Sequence, residues 1–266
     1  LGSLALTDHG TMYGAIEFYQ KAKEKGIKPI LGVEIYLAFE NMADKRPGVD
    51  DKIYHMILLA KNEKGYQNII KILTKAHLEG YYYKPRIDEA FLRDHAEGVI
   101  ALSACLAGKV SQLILAKRFN EAEQQANTYQ EIFGSGNFYL EIQDHPNLAE
   151  QKIANEGIIA IAKKTGIPLV ATADSHYLQK EDADAQDILM LINTGARPDD
   201  PEREQAPVGG GGQRRGGMQA DELSGIGDFQ RGVAILKPEV SERRLDELSE
   251  AGFRGVRINL LRQDGK

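Results

Sequence analysis

Two short strings constrain this chain more than anything else in it: Ala5-Leu6-Thr7-Asp8-His9-Gly10 and Val170-Ala171-Thr172-Ala173-Asp174-Ser175-His176. Each sets an Asp and a His just beyond an apolar, strand-like run. Metal sites at the mouth of an α/β barrel are built this way, because side chains at the carboxyl ends of neighbouring strands converge on one point.

The rest of the chain up to about Leu191 suits such a barrel. Apolar runs at 3–6, 29–37, 54–60, 99–102, 138–142 and 168–172 alternate with helix-period segments at 12–25, 63–78, 110–117, 120–133, 148–165 and 180–191. That alternation predicts repeated βα units, and therefore a parallel sheet or barrel. Gly26, Gly80 and Gly166 punctuate three of the helix ends.

Composition narrows the partners. The 266 residues carry a net charge of −6 and a pI near 5.6, which argues against holding nucleic acid by bulk positive charge. A clustered acidic site loaded with cations would invert that logic. The single cysteine, Cys105, excludes an intrachain disulfide and suits a reducing, cytoplasmic setting. No signal-like segment and no bilayer-length apolar run is found, so no membrane role is expected. Because Leu1 opens directly on a strand, the chain is expected to be a fragment lacking its true start.

Beyond Glu204 the character changes. Residues 205–217 contain Gly209 to Gly212, Arg214, Arg215, Gly216 and Gly217, a stretch suited to a flexible linker rather than to a core. The expected division is a barrel over 1–204, a linker over 205–228 and a short βαβ tail over 229–266. The tail is expected to stay outside the barrel, with 205–217 the first stretch cut by protease.

The metal-capable side chains near strand ends are His9, Glu34, His55, Cys105, Asp174 and His176. Imidazole, carboxylate and thiolate together suit zinc best, with manganese or iron(II) as alternatives. Asp174 and His176, two apart, would share a face of an extended segment, and Glu34 would face away from Val33 and Ile35. Each residue also has a plainer reading. Asp-His-Gly after a strand is often a turn, a lone cysteine is usually a small buried hydrophobe, and His55 lies too early in its strand for the barrel-mouth argument. His77 and His95 read as surface or loop residues, and Asp144-His145-Pro146 as a helix cap.

A family resemblance joins these residues. The first string continues as Thr11-Met12-Tyr13-Gly14-Ala15-Ile16-Glu17-Phe18-Tyr19 and is followed by Lys28-Pro29-Ile30-Leu31-Gly32-Val33-Glu34-Ile35-Tyr36. With Tyr54-His55-Met56-Ile57-Leu58-Leu59-Ala60-Lys61-Asn62, Tyr82-Tyr83-Lys84-Pro85-Arg86, Leu102-Ser103-Ala104-Cys105-Leu106, Asn193-Thr194-Gly195 and Asp199-Asp200-Pro201, they resemble the PHP (polymerase and histidinol phosphatase) domain of bacterial DNA polymerase III alpha subunits. The resemblance implies a distorted (β/α)7 barrel lacking its first strand. It implies His9, Glu34, His55, Cys105, Asp174 and His176 as ligands of up to three ions, and Asp8 and His9 as a catalytic pair. The family's first motif, a His-x-His followed by an Asp, has no counterpart in the chain. Residues 231–261 resemble instead a βαβ piece of the amidohydrolase superfamily and carry no histidine.

What the resemblance implies for activity is metal-dependent phosphoester hydrolysis, with a 3′–5′ exonuclease acting on the DNA primer terminus beside the rest of the polymerase and the replisome subunits. Lys84 and Arg86 are candidate phosphate contacts, against a solvated loop as the plainer reading. Two rivals stand beside this: a structural module of the polymerase, and a small-molecule phosphatase of the histidinol phosphate type.

Overall fold

A computed structural model describes residues 2–145, 148–172, 174–177, 182–195, 197–199 and 256–258. In chain order the elements are β1 (Ser3–Leu6), α1 (Ala15–Glu24), β2 (Lys28–Ala38), β3 (Ile53–Ala60), α2 (Glu63–Leu78), β4 (Tyr81–Tyr82), β5 (Lys84–Ile87), α3 (Glu89–Asp94), β6 (Val99–Leu102), α4 (Lys109–Leu115), α5 (Phe119–Phe133), β7 (Phe138–Gln143), α6 (Ala149–Thr165), β8 (Leu169–Thr172), α7 (Ala183–Thr194) and β9 (Val256–Ile258). The strands form one curled sheet in the order β4-β5-β2-β3-β6-β7-β8, with β1 beside β2. The fold is α/β, with helices packed on the outer face of a partly closed barrel.

The expected all-parallel sheet needs correction. β3 runs antiparallel to both β2 and β6. The reason lies in residues 39–52, which connect β2 to β3 without a crossover helix, so the chain returns in the opposite direction. The β4–β5 hairpin and the short α3, which Asp88 caps by accepting from the Phe91 N–H at 3.0 Å, replace what reads as a loop.

Alternation along the strands sorts side chains between two cores. Val33, Ile35 and Leu37 of β2, with Met56 and Leu58 of β3, face the helices and pack with Ile69, Ile72, Val110 and Ile114. The opposite parity faces inward, where Ala5, Ile57, Leu59, Leu102, Ala104 and Val170 form a smaller apolar cluster. Glu34 and His55 share that inward parity. The barrel floor is therefore apolar, and the polar residues collect at one end.

The linker over 205–228 lies outside the described residues, as does the 229–266 tail except for Val256–Ile258. That strand corrects the expectation of a detached tail: β9 pairs in parallel with β1, Leu4 opposite Val256 and Leu6 opposite Ile258. β1 is an exposed edge without it, and three residues of parallel ladder satisfy that edge.

Candidate metal centre

The end of the barrel that carries the site is set by chain direction. Residues following β1, β6 and β8 emerge at the carboxyl ends of those strands, and because β3 is antiparallel its first residues lie at the same end. His55, early in β3, is thereby at the mouth for the reason that seemed to exclude it.

Local backbone geometry then places each donor. Past Leu6 the chain stays beside β2: the Glu34 N–H donates to the Asp8 carbonyl at 3.0 Å and the Gly10 N–H donates to the Glu34 carbonyl at 2.8 Å. His9 is held directly beside Glu34 by this short parallel bridge. Gly10 turns the chain with φ of 65°, and a Cβ there would stand 2.9 Å from the Tyr36 ring, so only glycine fits. Its carbonyl lies 2.9 Å from His77 Nε2, which makes His77 a brace of the turn rather than a free surface residue. A second tight turn carries Cys105. The Gly108 N–H donates to the Cys105 carbonyl at 2.9 Å, the His55 N–H donates to Ala107 at 3.1 Å, and a Cβ on Gly108 would come within 2.1 Å of the Ser103 carbonyl oxygen.

Glu34 is the hub. Its carboxylate is fully buried, and one oxygen, Oε1, lies 2.8 Å from His9 Nδ1 and 2.7 Å from His55 Nδ1. Burial alone would lift this carboxyl, but the imidazoles of His55 and His9 outweigh it and hold it well below the usual carboxylate range. Donor atoms of His9, Glu34 and His55 all fall within 4.8 Å of one another, a cluster able to hold a cation. His176 joins through His9, their Nε2 atoms 3.4 Å apart, and Cys105 joins through His55, its Sγ 3.9 Å from Nδ1. His176 Nδ1 sits 2.7 Å from the Asp174 carbonyl oxygen, so that nitrogen carries the proton and Nε2 presents a lone pair to His9.

The donor set fits a transition-metal ion. Two imidazole nitrogens bound to one tetrahedral zinc, each about 2.0–2.1 Å from it, stand roughly 3.4 Å apart, the spacing His9 and His176 already have. Burial pushes the Cys105 thiol well up, with the charges of Glu34 and Asp174 adding to the effect, so a thiolate there requires a cation as partner. Burial, then the charge of Glu34, pushes Tyr36 up to about 12, and its ring flanks both His9 and His55.

Other sequence-predicted residues separate from this group. Asp174 is buried at the same mouth and adopts a left-handed φ of 47°, which departs from the extended conformation expected for it. Asp8 follows neither His9 nor Glu34 inward; its carboxylate lies beside Gly14 at the amino end of α1, where helix N–H groups favour negative charge. Lys84 is exposed at the rim, its Nζ 5.6 Å from the Tyr36 ring centre. Arg86 does not face the site. It is fully buried and donates to the carbonyls of Gly80, Asp50, Met42 and Asp44 at 2.8–3.1 Å, which pins loop 39–52 to β5. His145, expected to cap a helix, does not: Leu148 is the cap residue of α6 and makes no side-chain cap bond. His145 is instead buried near the mouth.

The PHP domain family profile matches residues 1–145, and the chain belongs to that family. Among curated proteins it is similar to the DNA polymerase III subunit alpha of Thermus aquaticus, 47% identical over 207 residues, or 77% of this chain and 17% of that one. The subunit alpha of Borreliella burgdorferi is 46% identical over 204 residues, 76% of this chain and 18% of that one. The chain thus spans less than a fifth of these relatives. Among solved structures, an amidohydrolase from Chromobacterium violaceum is 15% identical, covering 65% of this chain and 76% of its own, with a TM-score of 0.38. No described helix is long and apolar enough to cross a membrane.

Proposed function

We propose that this domain is the metal-dependent phosphoesterase module of a replicative polymerase alpha subunit, hydrolysing the terminal phosphodiester of a DNA strand at its 3′ end. The observation that carries the reading is the convergence of His9, Glu34 and His55 within 4.8 Å at the barrel mouth, with His176 and Cys105 adjoining. His9, Glu34, His55 and His176 would hold zinc or manganese, Cys105 and Asp174 completing the set. Such ions supply a hydroxide at neutral pH and neutralise charge on the phosphate.

The chain's own residues do the rest. The buried Glu34 carboxylate fixes the orientation of two imidazoles at once, and the Asp174 carbonyl fixes that of His176, so the donors are set before substrate arrives. Lys84 at the rim, exposed and beside Tyr36, offers a cation to the scissile or adjoining phosphate. Similarity to polymerase alpha subunits supports DNA over a small phosphomonoester as substrate.

The test follows release of a 3′-terminal nucleotide from a labelled primer, with manganese or zinc supplied, for the native chain, Glu34→Gln and Lys84→Ala. Glu34→Gln should abolish release and Lys84→Ala should weaken substrate binding several-fold. Hydrolysis of a phosphomonoester alone would favour the phosphatase reading. Metal uptake with no hydrolysis of either substrate would favour a structural module.

A further inference from the structure

Tyr83 sits where a large side chain is least at ease. It is the single residue between Tyr82 and Lys84, which pair across the β4–β5 hairpin. It turns the chain with a φ of 58°, in the left-handed region that glycine enters without cost and a bulky residue does not. Its ring packs against Tyr82 with centres 4.5 Å apart and is still 71% exposed. A strained backbone that holds an aromatic ring out in water costs the fold stability, and such strain concentrates where the side chain meets a ligand.

Contacts from both strands fix this tip at the mouth. On the β5 side, Pro85 stands against the turn that carries His9: a Cβ on Gly10 would lie 3.2 Å from the Pro85 Cγ and 2.9 Å from the Tyr36 ring. On the β4 side, His77 Nε2 lies 2.9 Å from the Gly10 carbonyl oxygen, and the His77 ring centre is 6.5 Å from that of Tyr81, itself half-exposed. Lys84 reaches its Nζ to 5.6 Å from the centre of the Tyr36 ring, which is in turn 5.3 Å from that of His55. An exposed aromatic ring and an exposed cation therefore stand side by side on the rim next to the Glu34 hub. That pairing suits a ligand in which flat π faces alternate with anionic phosphates, which is a single strand of nucleic acid.

We propose that Tyr83 is a base-stacking residue for single-stranded DNA, holding an unpaired base near the 3′ end while Lys84 meets the adjoining phosphate. This rests on the DNA phosphodiesterase reading above and names what the site selects in its substrate: an unpaired end, because a base inside a duplex has its faces covered by its neighbours.

The test measures binding of a labelled single-stranded oligothymidylate to the 266-residue chain by fluorescence anisotropy, with no metal added so that hydrolysis does not intervene. The native chain is compared with Tyr83→Gly and Tyr83→Phe. Tyr83→Gly should weaken binding at least about fivefold, the lower end of what one stacked base contributes, while Tyr83→Phe keeps the π face and binds as the native chain does. The same strand made abasic at its 3′ end should bind the native chain and Tyr83→Gly equally, since it has no base to stack. Because glycine relieves the left-handed φ, Tyr83→Gly should melt no lower than the native chain, so its weaker binding is not a loss of fold. Unchanged affinity in Tyr83→Gly, or an equal loss on the intact and abasic strands, would overturn the assignment. If the native chain releases the 3′ nucleotide with manganese supplied and Tyr83→Gly does so with the same KM, the stacking role alone falls; if the native chain binds no single strand, the reading of DNA as substrate falls with it.

Discussion

Replacing Arg86 discriminates sharply between a phosphate contact and a structural pin. The guanidinium is fully buried, reaches four backbone carbonyls between 2.8 and 3.1 Å, and lies 5.1 Å from the Tyr82 ring centre. Arg86→Met keeps much of the apolar stem but removes every donor. Each carbonyl left buried without its donor costs about 1–3 kcal/mol, though residues 39–52 can partly relax into water. A net loss of about 3–5 kcal/mol is the reasonable scale for a buried, multiply bonded charge. For a domain this size about 2–4 °C of melting temperature accompanies each kcal/mol, so Arg86→Met should melt between about 6 and 20 °C below the native chain. Arg86→Lys should fall between the two, since an ammonium cannot reproduce the planar fork. The assay is a thermal melt by circular dichroism, with oligonucleotide binding by fluorescence anisotropy measured well below both transitions. A variant that melts with the native chain but loses oligonucleotide affinity would refute the buried-pin argument and restore Arg86 to the phosphate surface.

The same loop carries a pH signature. Hydrogen bonds from the Arg46 side chain hold the Asp50 carboxyl down to about 2, so the stability it contributes is present above the ordinary carboxylate pKa near 4 and is lost as pH falls from there towards 2. Acid titration of Asp50→Asn should lack that limb; an identical acid transition would disprove the linkage. Because burial pushes the Cys105 thiol well up, the metal-free native chain should react slowly with a thiol reagent at pH 8 and yield its one thiol quickly only when unfolded. Rapid native-state labelling would contradict this. Deleting residues 205–266 removes β9 from the β1 edge, and hydrogen exchange at the Leu4 to Leu6 amides should accelerate; unchanged protection would show that the ladder contributes nothing.

The helices and most strands were legible because their signals are local. Segment 63–78 is amphipathic, begins after Asn62, whose side chain accepts from the Gly65 N–H at 3.0 Å, and spans the residues its pattern predicts. Strand direction was not legible. Nothing in Ile53–Ala60 distinguishes a parallel from an antiparallel strand, because side-chain alternation is the same in both; the clue was the helix-free connection 39–52. Strand direction is also what decides whether His55, early in its strand, lies at the mouth. Glu34 was readable from its own neighbours, a charge between apolar residues that needed a cationic partner. The burial of Arg86 and His145 is not legible in the sequence for a shared reason: burial of a polar residue outside a regular helix depends on what packs over it, and that is a long-range fact. Arg86 is covered by 39–52, whose carbonyls at Met42, Asp44 and Asp50 it reaches.

The central claim is that the buried Glu34 carboxylate and the imidazoles around it form a transition-metal site. X-ray absorption at the zinc edge, on the zinc-loaded chain and on Glu34→Gln, tests it most directly. The native chain should show nitrogen and oxygen neighbours at about 2.0–2.2 Å and a sulfur shell near 2.3 Å from Cys105, and Glu34→Gln should retain far less zinc. An oxygen-only shell, with zinc retained equally by Glu34→Gln, would place the metal on surface carboxylates and contradict the claim.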